Sequence, residues 1–413
     1  MFLRIIILRL VFALLLAFGS EAIAQEIPGH ALFNAINSNE AFGRKLLREV
    51  HSANPDQNVA LAPLPIHVAF AAIERNSASY SSSEEIDNAF SLASRFSDTI
   101  PMLLVRFQKP RSVSAAKSPL PFSGLLRSSP EELWMSTAFL YRGQNAISQN
   151  FIEDSKKDFG LQFHSVDRHA SGKKIVARSW DPQVPVPEIS NRGDFWITSM
   201  MHLRTKWASN TFINPLGPNP DRKSDFLLSS GQHEQVDTML SETVTYRYAK
   251  TDNFEAIVLP CIQAYLMVVL PAEGKDIHQL EEELIRDTSS LDAALKPQSV
   301  DVELPKFSFQ FEANVRPALE AMGVHSVFKE LEFVKIPGSK LTGISQQVRI
   351  TVDVDGIRAD AGTIDGGIYG CILGGGPDSP LHMKVNRPFL FLIRDDVTNS
   401  LLFIGAVMDP ARH

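Results

Sequence analysis

From Asp194 to Pro410 the chain is written almost entirely in strand-length runs, and nothing constrains its folding more. "DFWITSMMHLRTKW", "TVTYRYAK", "FEAIVLPC", "AYLMVVLPA", "SVDVELPKFSFQF", "QVRITVDVDG", "HMKVNRPFLFLIRD" and "SLLFIGAVMD" are rich in β-branched and aromatic residues. Only "DIHQLEEEL" and "EANVRPALEAMG" interrupt them with helical spacing. The first half reads differently. Phe42, Leu46, Leu47 and Val50 in "NEAFGRKLLREV" predict an amphipathic helix, and "PLPIHVAFAAIERN" predicts a buried one. "SSSEEIDNAF" predicts a short helix that Ser83 would cap. "LWMSTAFLYRG" reads as a buried strand and "QNFIEDSKKDFG" as the helix after it. Residues from about 106 to 130 hold prolines and serines without a period and read as a surface loop, and Pro182, Pro185 and Pro187 break a second stretch. Helices grouped early and strands grouped late imply an α+β fold with large mixed or antiparallel sheets.

Arg4 and Arg9, the apolar run from Leu10 to Phe18, and Ala22-Ile23-Ala24 follow the order of a secretory signal cleaved after Ala24. Residues 1–24 are therefore expected to be removed and 25–413 to form one domain. That domain should be secreted, or periplasmic in a Gram-negative bacterium, with no membrane span. A net charge of -7 at pH 7 and 21% charged residues give no basic surface for nucleic acid. Only Cys261 and Cys371 are present, too few to form a disulfide framework, and they are read as two thiols with no shared role.

Enzyme motifs are missing. There is no G-x-S-x-G, no H-E-x-x-H, no P-loop and no C-x-x-C. Eleven histidines scatter without shared spacing. His164 and His169 flank Asp167, but their separation is not the i, i+4 face of a helical zinc site, so a solvated turn is expected and no metal. No cofactor is implied, and the expectation is a protein that is not an enzyme.

The oddest segment is "IRADAGTIDGGIYGCILGGGPDSP", Ile357 to Pro380. Its first half alternates like a strand, with Ile357, Ala359, Ala361 and Thr363 on one face and Arg358, Asp360 and Gly362 on the other. Glycines then take over.

The block "VNRPFLFLIRDDVTNSLLFIGAVMDP" resembles the C-terminal signature of the serpins, the serine protease inhibitor family. The resemblance continues in order through "LPKFSFQFEANVRPALEAMGV", "FEAIVLPCIQAYLMVVLPAEGKDIHQLEEEL", "STAFLYRGQNAISQNFIEDSKKDFG", Trp207 in "LRTKW" and "NVALAPLPIHVAFAAI", covering most of the chain. It implies a serpin fold in which residues from about 355 to 384 form an exposed reactive-centre loop. In that family a protease cuts the loop, the first half inserts into the largest sheet, and the acyl-linked protease is dragged across and distorted. The implied partner is a target protease bound by a monomer.

Several positions depart from the inhibitory pattern. Gly356 is kept, but Ile357 replaces a small Thr or Ser at the start of the hinge that Ala359, Ala361 and Thr363 continue. Where small polar residues usually lie beneath the opening sheet stand Ala62, Pro65, Ser199 and Gln346; Trp207, where the loop enters, is retained. Family spacing puts the scissile bond at Gly370-Cys371, with Tyr369, Ile372 and Leu373 as further candidates because the loop is long. None is basic, so a chymotrypsin-, elastase- or subtilisin-like serine protease is expected, or a papain-like cysteine protease. The alternative is a non-inhibitory member that binds or carries, whose loop is merely cut; a secreted hydrolase is the remote third reading. An arm already seated in mid-sheet before any cut would speak against inhibition.

Overall fold

The computed structural model describes residues 29–77, 80–91, 100, 103–104, 107, 132–141, 147–165, 194–208, 212, 222–286, 290–331, 334, 338–359 and 380–412. The expected signal segment, the loop expected at about 106–130 and the stretch after Pro182 lie outside these residues, apart from Phe107. Helix α1, Gly29–Ser52, is longer than its clearest motif because the buried stripe begins at Ala35 and Ile36 and continues through Asn39, Phe42, Leu46 and Val50. Helix α2, Pro63–Arg75, is buried from Pro63 to Ile73, as a helix apolar on all sides must be. Helix α3, Tyr80–Phe90, starts before the expected cap, so Ser83 lies inside the helix and its capping role is corrected. Phe90 stacks on Phe42 at 4.2 Å and on Phe70 at 4.7 Å between ring centroids, which ties the three helices together.

Among the described residues the strands form two sheets. In the larger, nine-stranded sheet the order is β1 (Val59–Leu61), β15 (Leu401–Val407), β14 (Phe389–Asp395), β8 (Ala264–Pro271), β7 (Phe254–Pro260), β6 (His233–Lys250), β9 (Lys296–Pro305), β13 (Leu381–Lys384), with β5 (Arg222–Leu227) also on β6. Each run that reads as one piece in "SVDVELPKFSFQF" and "HMKVNRPFLFLIRD" is two strands here. Lys306 separates β9 from β10 (Phe307–Asn314), and residues 385–388, ending in Pro388, separate β13 from β14, since proline cannot continue a ladder. "EANVRPALEAMG" is likewise shared. Its first residues end β10, and only Arg316–Ala321 is helical, with Pro317 in the first turn where a missing N–H does no harm.

The six-stranded sheet has the order β10, β11 (Lys340–Asp353), β12 (Gly356–Ala359), β4 (Asp194–Thr205), β2 (Glu132–Tyr141), β3 (Gln162–Ser165). Helix α2 packs behind β2 and β4. Helix α4, Gln149–Phe159, follows β2, and α5, Ile277–Arg286, and the short α6, Ser290–Ala294, follow β8. Among the described residues no helix is long and apolar enough to cross a membrane.

An ionic anchor ties these layers. The Arg394 guanidinium of β14 is fully buried, donates to Glu40 of α1, and reaches Asp292 of α6 at 3.0 Å. Arg44 donates to the same Glu40 and, at 2.7 Å, to the Leu284 carbonyl of α5. Burial alone would push the Arg394 pKa down; the charges of Glu40, Tyr265 and Asp292 more than offset it and hold the group above its ordinary value.

Candidate functional site

The seam between β4 and β11 changes character along its length. At one end the two strands pair directly and in parallel, from Lys340 against Asp194 to Gln346 against Ser199. Gly343 marks an irregularity there because the Trp196 ring lies over it; a Cβ at Gly343 would come within 2.5 Å of that ring. At the other end β12 lies between them, antiparallel to both. Gly356 pairs Asp353 and Ala359 pairs Ile350, while Ile357, Arg358 and Ala359 face Thr205, Arg204 and Leu203. Between the two zones, Gln347 to Arg349 and Met200 to His202 take part in neither pairing.

The mouth of the seam is built around Gly356. Its φ is +139°, and a Cβ would sit 2.2 Å from the Thr205 carbonyl oxygen, so only glycine lets the chain turn back against β4. Trp207 fixes the strand end beside it: the indole Nε1 donates to the Asp353 carbonyl at 2.8 Å, and the ring meets Phe212 edge-on at 4.9 Å. Ile357 is 0% exposed. Its neighbour Arg358 stays at the surface and donates to Asp353 at 3.1 Å and to Asp355 at 3.4 Å, clasping the turn between β11 and β12. No family pattern pointed to this clasp; the spacing Asp353, Asp355, Arg358 across a tight turn is the signal that could have.

Deeper in the seam a polar network gathers around Gln346. Gln346 is 2% exposed. Its Oε1 accepts from the Ala62 amide at 2.8 Å, and its Nε2 donates to the Ala62 carbonyl at 2.7 Å and to Ser199 Oγ at 3.3 Å. Ala62 precedes Pro63 at the start of α2 and has no side chain with which to cap it, so the glutamine amide from β11 satisfies its backbone instead. Thr137 of β2, unmarked by sequence reasoning, donates to the Pro65 carbonyl at 3.2 Å. Ala62, Pro65, Ser199 and Gln346 therefore meet at one point, and Trp207 with Gly356 and Ile357 at another.

The remaining expected positions separate. Ala361, Thr363, Tyr369, Gly370, Cys371, Ile372 and Leu373 lie outside the described residues. Of the segment expected as a loop from about 355 to 384, Gly356–Ala359 and Leu381–Lys384 are strands, and residues 360–379 lie outside the described residues. Among the described residues the arm is thus seated at the mouth before any cut, through Ala359, while the direct pairing of Gln346 with Ser199 closes the seam further in. Cys261 is a free, buried thiol opposite Trp207 in an isolated bridge, and burial pushes its pKa well above the ordinary range. His164 faces Gln162 at 3.2 Å, while Asp167 and His169 lie outside the described residues.

Comparison with known proteins agrees with this architecture. The family model described as "Serpin (serine protease inhibitor)" matches residues 37–410. Serine protease inhibitor A3L of Rattus norvegicus is 24% identical over 95% of this chain and 94% of its own length. Human thyroxine-binding globulin complexed with thyroxine superposes with a TM-score of 0.72 at 18% identity, covering 92% of this chain and 99% of that one. Mouse protein-Z dependent protease inhibitor does so with a TM-score of 0.71 at 21% identity, over 93% and 100% of the two chains. With a family model spanning nearly the whole chain and a two-sheet fold in which β12 parts β11 from β4 at one end, this protein belongs to the serpin family.

Proposed function

We propose that the chain is a secreted inhibitor of an endopeptidase and that it works by inserting its own cleaved arm between β4 and β11. The observation that carries this reading is that β12 lies at the mouth of the seam while β4 and β11 still pair directly from Asp194 to Ser199, so no seated arm fills the seam there. If the antiparallel register of β12 continues, Ala361 would face Val348 and Met201, and Thr363 would meet Gln346 and Ser199, all on the buried side. Asp360 would lie on the outer face opposite Arg349 and His202. Each added residue would give unpaired strand backbone a ladder partner and replace a parallel pairing by two antiparallel ones. The barrier is the direct pairing from Asp194 to Ser199 together with the Gln346 clasp, so the intact form would persist kinetically. The protease nucleophile would attack the Gly370 carbonyl and release the Cys371 amine, leaving an acyl-enzyme joined to the moving arm. The apolar and small residues from Tyr369 to Leu373 suit a chymotrypsin-, elastase- or subtilisin-like protease.

A second reading rests on Asp365. The same register would bring its carboxylate to the inner face between Ile344 and Ile197, both 0% exposed. An unpaired charge there costs several kcal/mol. Insertion would then stall after Thr363 and the arm would only be cut, as in a binding or carrier member of the family. Incubation with chymotrypsin, elastase, subtilisin and papain separates the readings. An SDS-stable adduct near one-to-one stoichiometry, with loss of protease activity, is expected. Clean cleavage with continuing activity, and no higher melting temperature of the nicked chain, overturns inhibition. If Asp365→Ala alone converts cleavage into adduct, the stall lies at that carboxylate.

A further inference from the structure

Outside the seam, His51, His278 and Glu281 converge from two helices. His51 is near the end of α1, and His278 and Glu281 are three residues apart on α5. Each offers one ligand atom, and these atoms all lie within 4.8 Å of one another, the one such group of three among the described residues. Glu281 Oε1 lies 2.6 Å from His51 Nδ1, Glu281 Oε2 lies 3.4 Å from His278 Nδ1, and the ring centroids are 4.5 Å apart.

The charge balance of the cluster is incomplete. The Glu281 side chain is 2% exposed and that of His51 is 0%. A carboxylate buried this far is ordinarily matched by lysine or arginine. Among the described residues it has neither, and its two partners are imidazoles. Among the described residues His51 Nε2 is itself buried with no hydrogen-bond partner. A divalent cation would supply the missing charge. Two imidazole nitrogens and one carboxylate oxygen are the donor set that zinc and its neighbours take, and the i, i+3 step on α5 puts both of its ligands on one face. Bond lengths of about 2.0–2.2 Å set ligand atoms of a tetrahedral site roughly 3.4 Å apart. The 3.4 Å from Glu281 Oε2 to His278 Nδ1 matches that spacing, the 2.6 Å contact from Glu281 Oε1 to His51 Nδ1 would lengthen as the ion enters, and the solvent side of His278, 35% exposed, leaves a fourth position for water.

We infer that His51, His278 and Glu281 form a binding site for one divalent transition-metal ion of the zinc type, joining the end of α1 to α5. The site is independent of loop insertion. Titrating the chelator-treated full chain with Zn²⁺ tests it, alongside Co²⁺, whose visible absorption reports four-coordinate nitrogen and oxygen ligation. One ion per chain is expected, with a rise in melting temperature. His278→Ala should weaken binding at least tenfold and abolish the Co²⁺ bands, while its melting temperature in chelator stays that of the parent. Glu281→Gln should weaken binding further. His233→Ala, removing an exposed histidine paired with Asp225, should change nothing. No stoichiometric binding by the parent chain overturns the inference. So does binding that His278→Ala leaves intact, or that His233→Ala weakens as much.

Discussion

The anchor around Arg394 and the seam around Gln346 both join one sheet to the helices, yet by opposite means. At the anchor, β14 pairs along its length with β8 and β15, every residue of β14 and β15 is buried, and a guanidinium held by two carboxylates crosses to α1 and α6. At the seam, β4 and β11 pair over part of their length only, and one neutral amide holds them to α2. A buried ion pair cannot be parted without stranding a charge. A pair of neutral hydrogen bonds can be exchanged for others when a new strand arrives. The fold thus makes its anchor ionic and the inner clasp of its seam neutral.

Arg394→Ala breaks the anchor and should have the largest effect. It leaves Glu40 and Asp292 without this partner, and a buried pair broken on one side costs about 3–5 kcal/mol. Chemical denaturation should show a lower midpoint, with the cleaved and intact forms affected alike. Loss from the intact form alone would move the anchor into the machinery of the seam.

Gln346→Ala comes next. It leaves the Ala62 amide and carbonyl buried without the glutamine, at roughly 1–3 kcal/mol each before relaxation. This loss should fall on the intact form and hardly on the cleaved one, because an inserted arm would supply new partners at that level. Melting both forms checks it; equal losses would show that the clasp is merely structural.

Acid should loosen the helix behind the seam. His67 of α2 lies among the rings of Phe42 and Phe90, and burial holds its pKa down at about 3 against an ordinary 6.5. Above pH 6.5 it is neutral folded or unfolded and gives no pH dependence. As pH falls from 6.5 toward 3, the unfolded chain takes up the proton first, so stability drops by about 1.4 kcal/mol per unit, or about 2 kcal/mol by pH 5. His67→Leu should flatten the stability profile in that window, measured by urea titration at pH 7 and pH 5. An unchanged slope would assign the acid sensitivity elsewhere.

Much of the fold was legible, and its limits are informative. Apolar runs such as "FLFLIRD" and "LLFIGAV" are short, rich in β-branched and aromatic residues and bounded by turn residues, which favours buried strands, and the stripe in α1 has helical spacing. The join between β10 and its helix was hidden because Val315 and Leu319 suit helical spacing, while the ladder to β11 claims the chain through Asn314. The seam was legible as a set of departures from a family pattern, not as a network: Gln346 bonds Ala62, 284 positions away, and no local period encodes that distance. The histidines show the same limit. His164 and His169 drew notice because they are near in sequence, but Asp167 and His169 lie outside the described residues, whereas His51 and Glu281 meet across 230 positions. The alternation legible in the sequence ends at Thr363, and Asp365 would reach the inner face only if the register of Gly356–Ala359 were continued.

The smallest effect tests how firmly the arm is seated. Arg358 holds β12 through Asp353 and Asp355, but it does so at a side chain 27% exposed, where water screens both charges. Its loss should cost β12 only about 0.5–1 kcal/mol, leaving Ile357 and the Gly356 turn to keep most of the strand in place. Arg358→Ala should therefore raise amide exchange at Ile357 to Ala359 a few-fold, while exchange in β14 stays unchanged and global stability hardly moves. If the whole of β11 and β4 exchanged faster with it, the mouth and the clasp would open as one unit, and the seam would have no separate first step.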